Sequence, residues 1–327
     1  MKFLQNPLVQ RLVLLVVVYA ILALTVPFFA TSGNAYAVLE ASALLGIVAA
    51  GLAVNMLTGE LDLSVGSVAA CAGLVAIMMS QHGIYIAVIA AVIPAVLYGM
   101  LQGYCIARLQ ISSLVFTLGT FIGVRGLAYV ISDERTLTLA LSNLSISMSL
   151  RERILIFSPF SLLMIGVLII AGLLLRYTRV GREIFAIGGA RKESRAAGVP
   201  QVRPLVISFA TSAGLAALAG ALASMRGGSA APGGYETVLL GAVTAALIGG
   251  VSLYGGRGSM IGVFIGVLTL QFLLSGLQLL GAPNWAANLT TGLILLAFLG
   301  IDLAHGSSPV ATALHRSRVR RRSSNTA

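Results

Sequence analysis

The sequence predicts an all-α, polytopic membrane helix bundle, and three observations predict it. Hydrophobic residues make up 58% of the chain and charged residues 9%, with a mean hydropathy of +0.98, whereas a soluble globule devotes roughly 25% of its residues to charge. Apolar runs of the roughly 20 residues that cross hydrocarbon as a helix recur from Leu12 to Leu303. The cations sit between and after those runs.

The first run, LVLLVVVYAILAL, follows Lys2 and Arg11 and has the build of a secretory leader. The apolar stretch runs on to Ala30, however, and Phe28 occupies the minus-three place where cleavage requires a small residue. It reads as an uncleaved span over about 12–30. Nine more spans are expected at about 39–57, 65–80, 84–106, 113–131, 158–176, 204–224, 237–253, 259–280 and 285–303. No soluble domain of useful size fits between them. Residues 1–303 are therefore expected to form a single transmembrane domain, with a polar segment at about 177–203 and a basic tail at 304–327.

With the N-terminus inside, the inner segments carry every cation except Arg125, Arg135, Arg151, Arg153 and Arg226. Cytoplasmic loops carry the Lys/Arg excess, so both termini are expected in the cytoplasm. The long outer connection at about 132–157 is either a surface for something arriving from outside or a plain connector. The tail RSRVRRRSSNTA suits an anionic inner leaflet, and no nucleic-acid partner is expected.

Several chemistries lack their residues. On these boundaries all ten acids, Glu40 and Asp62 among them, fall at span ends or in loops, which leaves mid-membrane without ion-coupling groups. The Gly-rich GGVSLYGGRGS lacks the P-loop spacing, and its glycines suit close packing and a tight turn. No H-E-x-x-H or G-x-S-x-G occurs, and His82, His305 and His315 have no convincing partners. Cys71 and Cys105 lack metal-ligand spacing and read as packing residues. If the chain transports, the energy comes from another subunit.

The polar segment TRVGREIFAIGGARKESRAAGVP stands out against this apolar background. Residues 190–197 are expected to form a short helix, stopped at Gly198 with Pro200 following. Arg191 and Arg195 fall on one face, and Ala190, Ser194 and Ala197 make a small-residue face. Two readings fit: a helix docked in a partner's groove, or a solvated positive-inside loop.

This segment, LTGELDLSVGSV (57–68), LVFTLGTFIGVRGLAYVIS (114–132) and GAVTAALIGGVSLYGGRGSMIGVFIGVLTLQFLLSGLQLLG (241–281) together resemble the ribose-type permeases of bacterial ABC sugar importers. These belong to the branched-chain amino acid/ribose-type inner-membrane permease family. The resemblance spans about 40–302. It implies a permease subunit that forms the path for a monosaccharide or similar small polar solute delivered by a periplasmic binding protein. It also implies a cytoplasmic ATP-binding subunit that carries ATP and Mg, no cofactor or metal on this chain, and a second permease chain in the bacterial inner membrane.

In that family the polar segment couples to the ATPase, which carries over here to Arg182, Glu183, Gly188, Gly189, Arg191, Lys192, Glu193, Arg195 and Gly198. Asp62, Ser64 and Gly66 match the D-L-S-x-G turn, where Asp62 either caps a helix start or takes part in gating. Arg125 and Gly126 match R-G-L-A-Y, and the arginine is expected either to bond backbone carbonyls and fix packing or to contact substrate. Gly234, Tyr235 and Glu236 match G-Y-E. Asn55, Thr58, Thr117 and Thr120 are path candidates by placement alone, each equally suited to interhelical hydrogen bonding.

Three departures leave homodimer and heterodimer both open: Glu60 in place of the common glycine, Ser112–Ser113 in place of a Pro-containing entry, and Thr237–Val238 in place of Leu-Asp. The rival reading is a secondary carrier or channel, whose uptake would persist without ATP.

Overall fold

The computed structural model describes residues 6–304. Lys2, His305, His315 and the basic tail lie outside the described residues. In chain order the elements are α1 (Pro7–Thr25), α2 (Ser32–Leu57), α3 (Val65–Met79), α4 (Ile84–Leu109), α5 (Ser113–Ser132), β1 (Leu137–Thr138), α6 (Leu144–Leu150), α7 (Pro159–Tyr177), α8 (Arg179–Gly189), α9 (Arg191–Ala196), α10 (Val202–Gly227), β2 (Ser229–Ala230), α11 (Val238–Ile248), α12 (Met260–Leu279) and α13 (Asn284–Ala304). Among the described residues nine helices are long and apolar enough to cross a membrane, and α11 is a shorter apolar helix. The chain is thus the polytopic all-α bundle that its composition predicts.

Local chemistry moves several expected boundaries. Asn6 caps α1 by accepting the Leu8 N–H at 3.0 Å, Pro7 opens the helix, and Pro27 ends it well before Ala30. Thr31 caps α2 by accepting the Asn34 N–H at 3.3 Å, so α2 starts at Ser32 and not at 39. This corrects the placement of Glu40, which sits two turns inside α2, buried and ion-paired with Arg226. The eighth expected span is also corrected. α11 has 11 residues, about 16 Å of helix, too short for a hydrocarbon core of about 30 Å. It ends at Gly249, and Gly250 (φ +72) turns the chain into irregular backbone as far as Ser259.

Apolar burial gives little drive between helices in lipid, so packing rests on close approach of small residues. α10, rich in Ala, Gly and Ser, lies at the centre against α2, α3 and α4. Gly103 of α4 is seated so that a Cβ there would lie 2.7 Å from the Leu205 carbonyl oxygen and 2.8 Å from Val206 Cα. α2 makes the second central wall, against α7, α11 and α12, while α1 packs on α12 and buries no residue of its own.

Alternating helix directions sort the connections to two ends. One end gathers the α2–α3 turn, α8–α9 and the 249–259 loop, where the Gly256 N–H donates to the Leu57 carbonyl at 2.9 Å. At the other end β1 pairs antiparallel with β2, Tyr36 Oη donates to the Arg151 carbonyl at 2.9 Å, and Ser147 Oγ donates to the Arg226 carbonyl at 2.7 Å. The 132–157 connection is therefore no loose strap: β1 and α6 pin it to the end of α10.

Candidate functional site

Past Leu57 the chain leaves helical geometry and reaches the start of α3 only at Ser64. Asp62 lies fully buried in this stretch. Its Oδ1 accepts the Ser64 N–H at 2.9 Å and the Ser64 hydroxyl at 2.6 Å, and its Oδ2 accepts the Ser212 hydroxyl at 3.0 Å. Ser64 Oγ also accepts from Gln102 Nε2 at 3.4 Å, and the same nitrogen reaches Thr120 Oγ1 at 2.9 Å. Thr117 Oγ1 donates to the Leu61 carbonyl at 3.3 Å. One carboxylate thereby ties α3, α4, α5 and α10 together. Ser212 stands ten residues into α10, about 15 Å along its axis. The turn is thus irregular backbone deep in the bundle, a state allowed in a membrane only where protein or a cavity surrounds it.

Asn55 and Thr58 lie just before the turn. Thr58 Oγ1 donates to the Asn55 carbonyl at 2.7 Å, and both residues are buried. The Asn55 amide makes no hydrogen bond from Nδ2 or to Oδ1 among the described residues.

In the first turn of α3, just past Ser64, Gly66 faces the G-Y-E segment. A Cβ on Gly66 would lie 2.9 Å from the Tyr235 carbonyl oxygen, which leaves room for hydrogen only. Tyr235 Oη is 2.8 Å from Ser224 Oγ. Glu236 pairs with Arg125 at 2.5 Å, and Arg125 also lies 5.8 Å over the Tyr129 ring. The expectation that Arg125 bonds backbone carbonyls is corrected: a carboxylate 111 positions away is the partner. The two side chains are 36% and 45% exposed, on a side of α5 where Gly119, Gly123 and Gly126 meet nothing.

The polar segment forms two helices where one was expected. α8 is capped by Thr178, whose Oγ1 accepts the Gly181 N–H at 3.1 Å, and it buries Ile184 and Ile187 on one face. α9 ends as expected at Gly198 (φ +79), with Val199 N–H donating to the Ser194 carbonyl at 2.9 Å. Glu183 is buried and held by Arg179 at 3.0 Å, so it faces this chain. Arg191 also turns inward: its Nη2 donates to Glu60 Oε1 at 2.6 Å and to the Thr58 carbonyl at 3.2 Å. Arg182, Lys192, Glu193 and Arg195 are exposed. Gly188 is pressed on the end of α2 and the 249–259 loop, where a Cβ would lie 2.5 Å from the Gly256 nitrogen. Gly189 meets only Gly256.

The segments that carry the sequence motifs thus converge on one bundle. The model of the branched-chain amino acid transport system/permease component family matches residues 34–299. The chain belongs to this family. The L-arabinose transport system permease protein AraH of Escherichia coli (strain K12) is 36% identical over 296 residues, covering 89% of each chain. The ribose import permease protein RbsC of Bacillus subtilis (strain 168) is 32% identical over 293 residues, covering 89% of this chain and 90% of its own. RbsC of Haemophilus influenzae is 29% identical over 297 residues. No solved structure matches significantly.

The sequence reading missed Gln102, Ser212 and the Gly99-x-x-x-Gly103 face of α4. A lone amide in an apolar span and glycines four apart were available signals for the first and last. Ser212 has no local signal, because serines are scattered through these spans.

Proposed function

We propose that this membrane permease is the path-forming subunit of an ABC importer for a monosaccharide, in a bacterial inner membrane. Its energy comes from a separate ATP-binding subunit that holds ATP and Mg, and its solute from a periplasmic binding protein. The relatives' printed substrates, L-arabinose and ribose, support the sugar class. The α8–α9 end is cytoplasmic on the Lys/Arg excess.

One observation carries the coupling role. Arg191 of α9 bonds Thr58 and Glu60 directly, two to four residues before the buried Asp62. Motion of α8–α9 is thereby passed to the turn that ties four helices. Arg182, Lys192 and Arg195, exposed beside it, are the cations offered to the ATPase, and its greater affinity for ATP in one arrangement biases the bundle. The open side of α5, with Gly119, Gly123 and the half-exposed Arg125–Glu236 pair, faces the second permease chain and the water path between the two. An ion pair in contact with lipid would be unfavourable there.

The test separates the two arginines. Arg195→Glu is expected to lower ATPase association and sugar uptake together, at least tenfold, with the chain still inserted. Ribose or L-arabinose uptake that persists in vesicles without ATP would make the chain a carrier or channel instead.

A further inference from the structure

Two cavities, one apolar and one polar, lie side by side at the α8–α9 end. The first, about 670 Å³, lies between α7 and α12 and is walled by apolar side chains such as Ile165, Ile169 and Phe264. It ends at Arg176. From Ile165 to Arg176 the α7 wall runs eleven residues, about 16 Å, the depth of one leaflet of a hydrocarbon core about 30 Å thick. The second, about 720 Å³, is walled by Arg11, Arg257, Asn6, Ser252 and Asp302. Leu8, Phe185, Gly258 and Ser259 line both, so the apolar groove and the polar chamber adjoin.

Charge decides the occupant. Among the described residues, Arg11, Arg257 and Arg176 line the chamber and groove mouth together with one carboxylate, Asp302. That carboxylate already accepts from Ser252 Oγ at 3.1 Å and the Leu253 N–H at 3.4 Å. Arg11 has its guanidinium laid against Gly250. The first turn of α12, capped by Ser259, also opens here with its positive dipole end.

We propose that this groove and chamber hold one anionic phospholipid of the adjoining leaflet, with an acyl chain between α7 and α12 and its phosphate at Arg11 and Arg257. Phe185 belongs to α8 and lines both cavities, so the bound lipid braces the helix pair that moves in coupling. The inference needs only the membrane placement and is independent of the solute.

The test is native mass spectrometry of the full-length chain, delipidated in mild detergent and offered palmitoyl-oleoyl phosphatidylglycerol or the matching phosphatidylcholine. One phosphatidylglycerol is expected to be retained about thirtyfold more tightly, in line with two cations near a phosphate. Arg11→Gln with Arg257→Gln should abolish the preference, while Ile169→Trp should block retention of both lipids. Excess inorganic phosphate should not displace the lipid. Equal retention of the two lipids by the native chain, which needs no variant to fold, overturns the proposal. Displacement by phosphate alone, or no one-to-one lipid because a second chain or the basic tail fills the groove, overturns it as well.

Discussion

Asp62 satisfies three donors with one buried carboxylate. Asp62→Leu leaves the Ser64 and Ser212 groups without their acceptor, and each buried unsatisfied group costs about 1–3 kcal/mol. The variant is expected to lose at least 2 kcal/mol of stability, read as a lower midpoint of thermal unfolding in detergent, whereas Asp62→Asn keeps one acceptor oxygen and loses less. Asn55 is the opposite case. Its buried amide has no partner among the described residues, so Asn55→Leu, similar in size, is expected to keep stability or raise it by about 1 kcal/mol, read as an equal or higher midpoint, and still lower uptake. A variant that loses stability would show instead that the amide is satisfied. Asp62, Asn55 and Thr117 were legible in the sequence as polar residues near span ends. Their partners were not, because Ser212 and Gln102 are brought in by tertiary packing and nothing within a few residues of either marks the pairing. Arg125 was misread for the same reason, since Glu236 lies on the far side of five helices in the chain.

At the scale of elements, α8–α9 is fixed to the bundle by the buried Ile184 and Ile187, by Arg191 bonded to Glu60 and the Thr58 carbonyl, and by a patch of glycine. Arg191→Glu faces Glu60 with a like charge and is expected to reduce uptake at least tenfold, while the swap Arg191→Glu with Glu60→Arg restores much of it. Failure of the swap to rescue would show that Arg191 serves the partner subunit and not this chain. The second helix and its stop at Gly198 were legible from helix formers and the Gly-x-Pro ending. α8 was hidden because its apolar face covers only three or so positions between arginines and glycines, which reads as a loop until the surface it covers is known. The same limit explains α11: an apolar run of span length does not reveal that Gly249 and Gly250 break it.

Over the whole molecule the spans, their order and the polar segment were legible from hydropathy, because lipid demands continuous apolar helix. Their arrangement around α10 was not, since it rests on backbone contacts at glycine. Gly103→Val should therefore be costly: its side chain meets the Leu205 carbonyl, and separating α4 from α10 is expected to cost about 1–3 kcal/mol, read as a lower thermal midpoint with membrane insertion retained. At the far side of α5, Arg125→Gln leaves Glu236 without its counter-ion and is expected to slow uptake, with Arg125→Glu plus Glu236→Arg recovering part of the rate.

The bond between Asp62 and Ser212 joins residues 150 positions apart, and this sets an order for the making of the protein. A ribosome adding about 5–20 residues per second delivers Ser212 roughly 8 to 30 s after Asp62. During that interval the α2–α3 hairpin enters the bilayer with its carboxylate lacking the Ser212 hydroxyl. Until α10 arrives, the hairpin lacks the bond that ties it across the bundle. α10 is thus the keystone whose arrival ends the vulnerable stage of biogenesis.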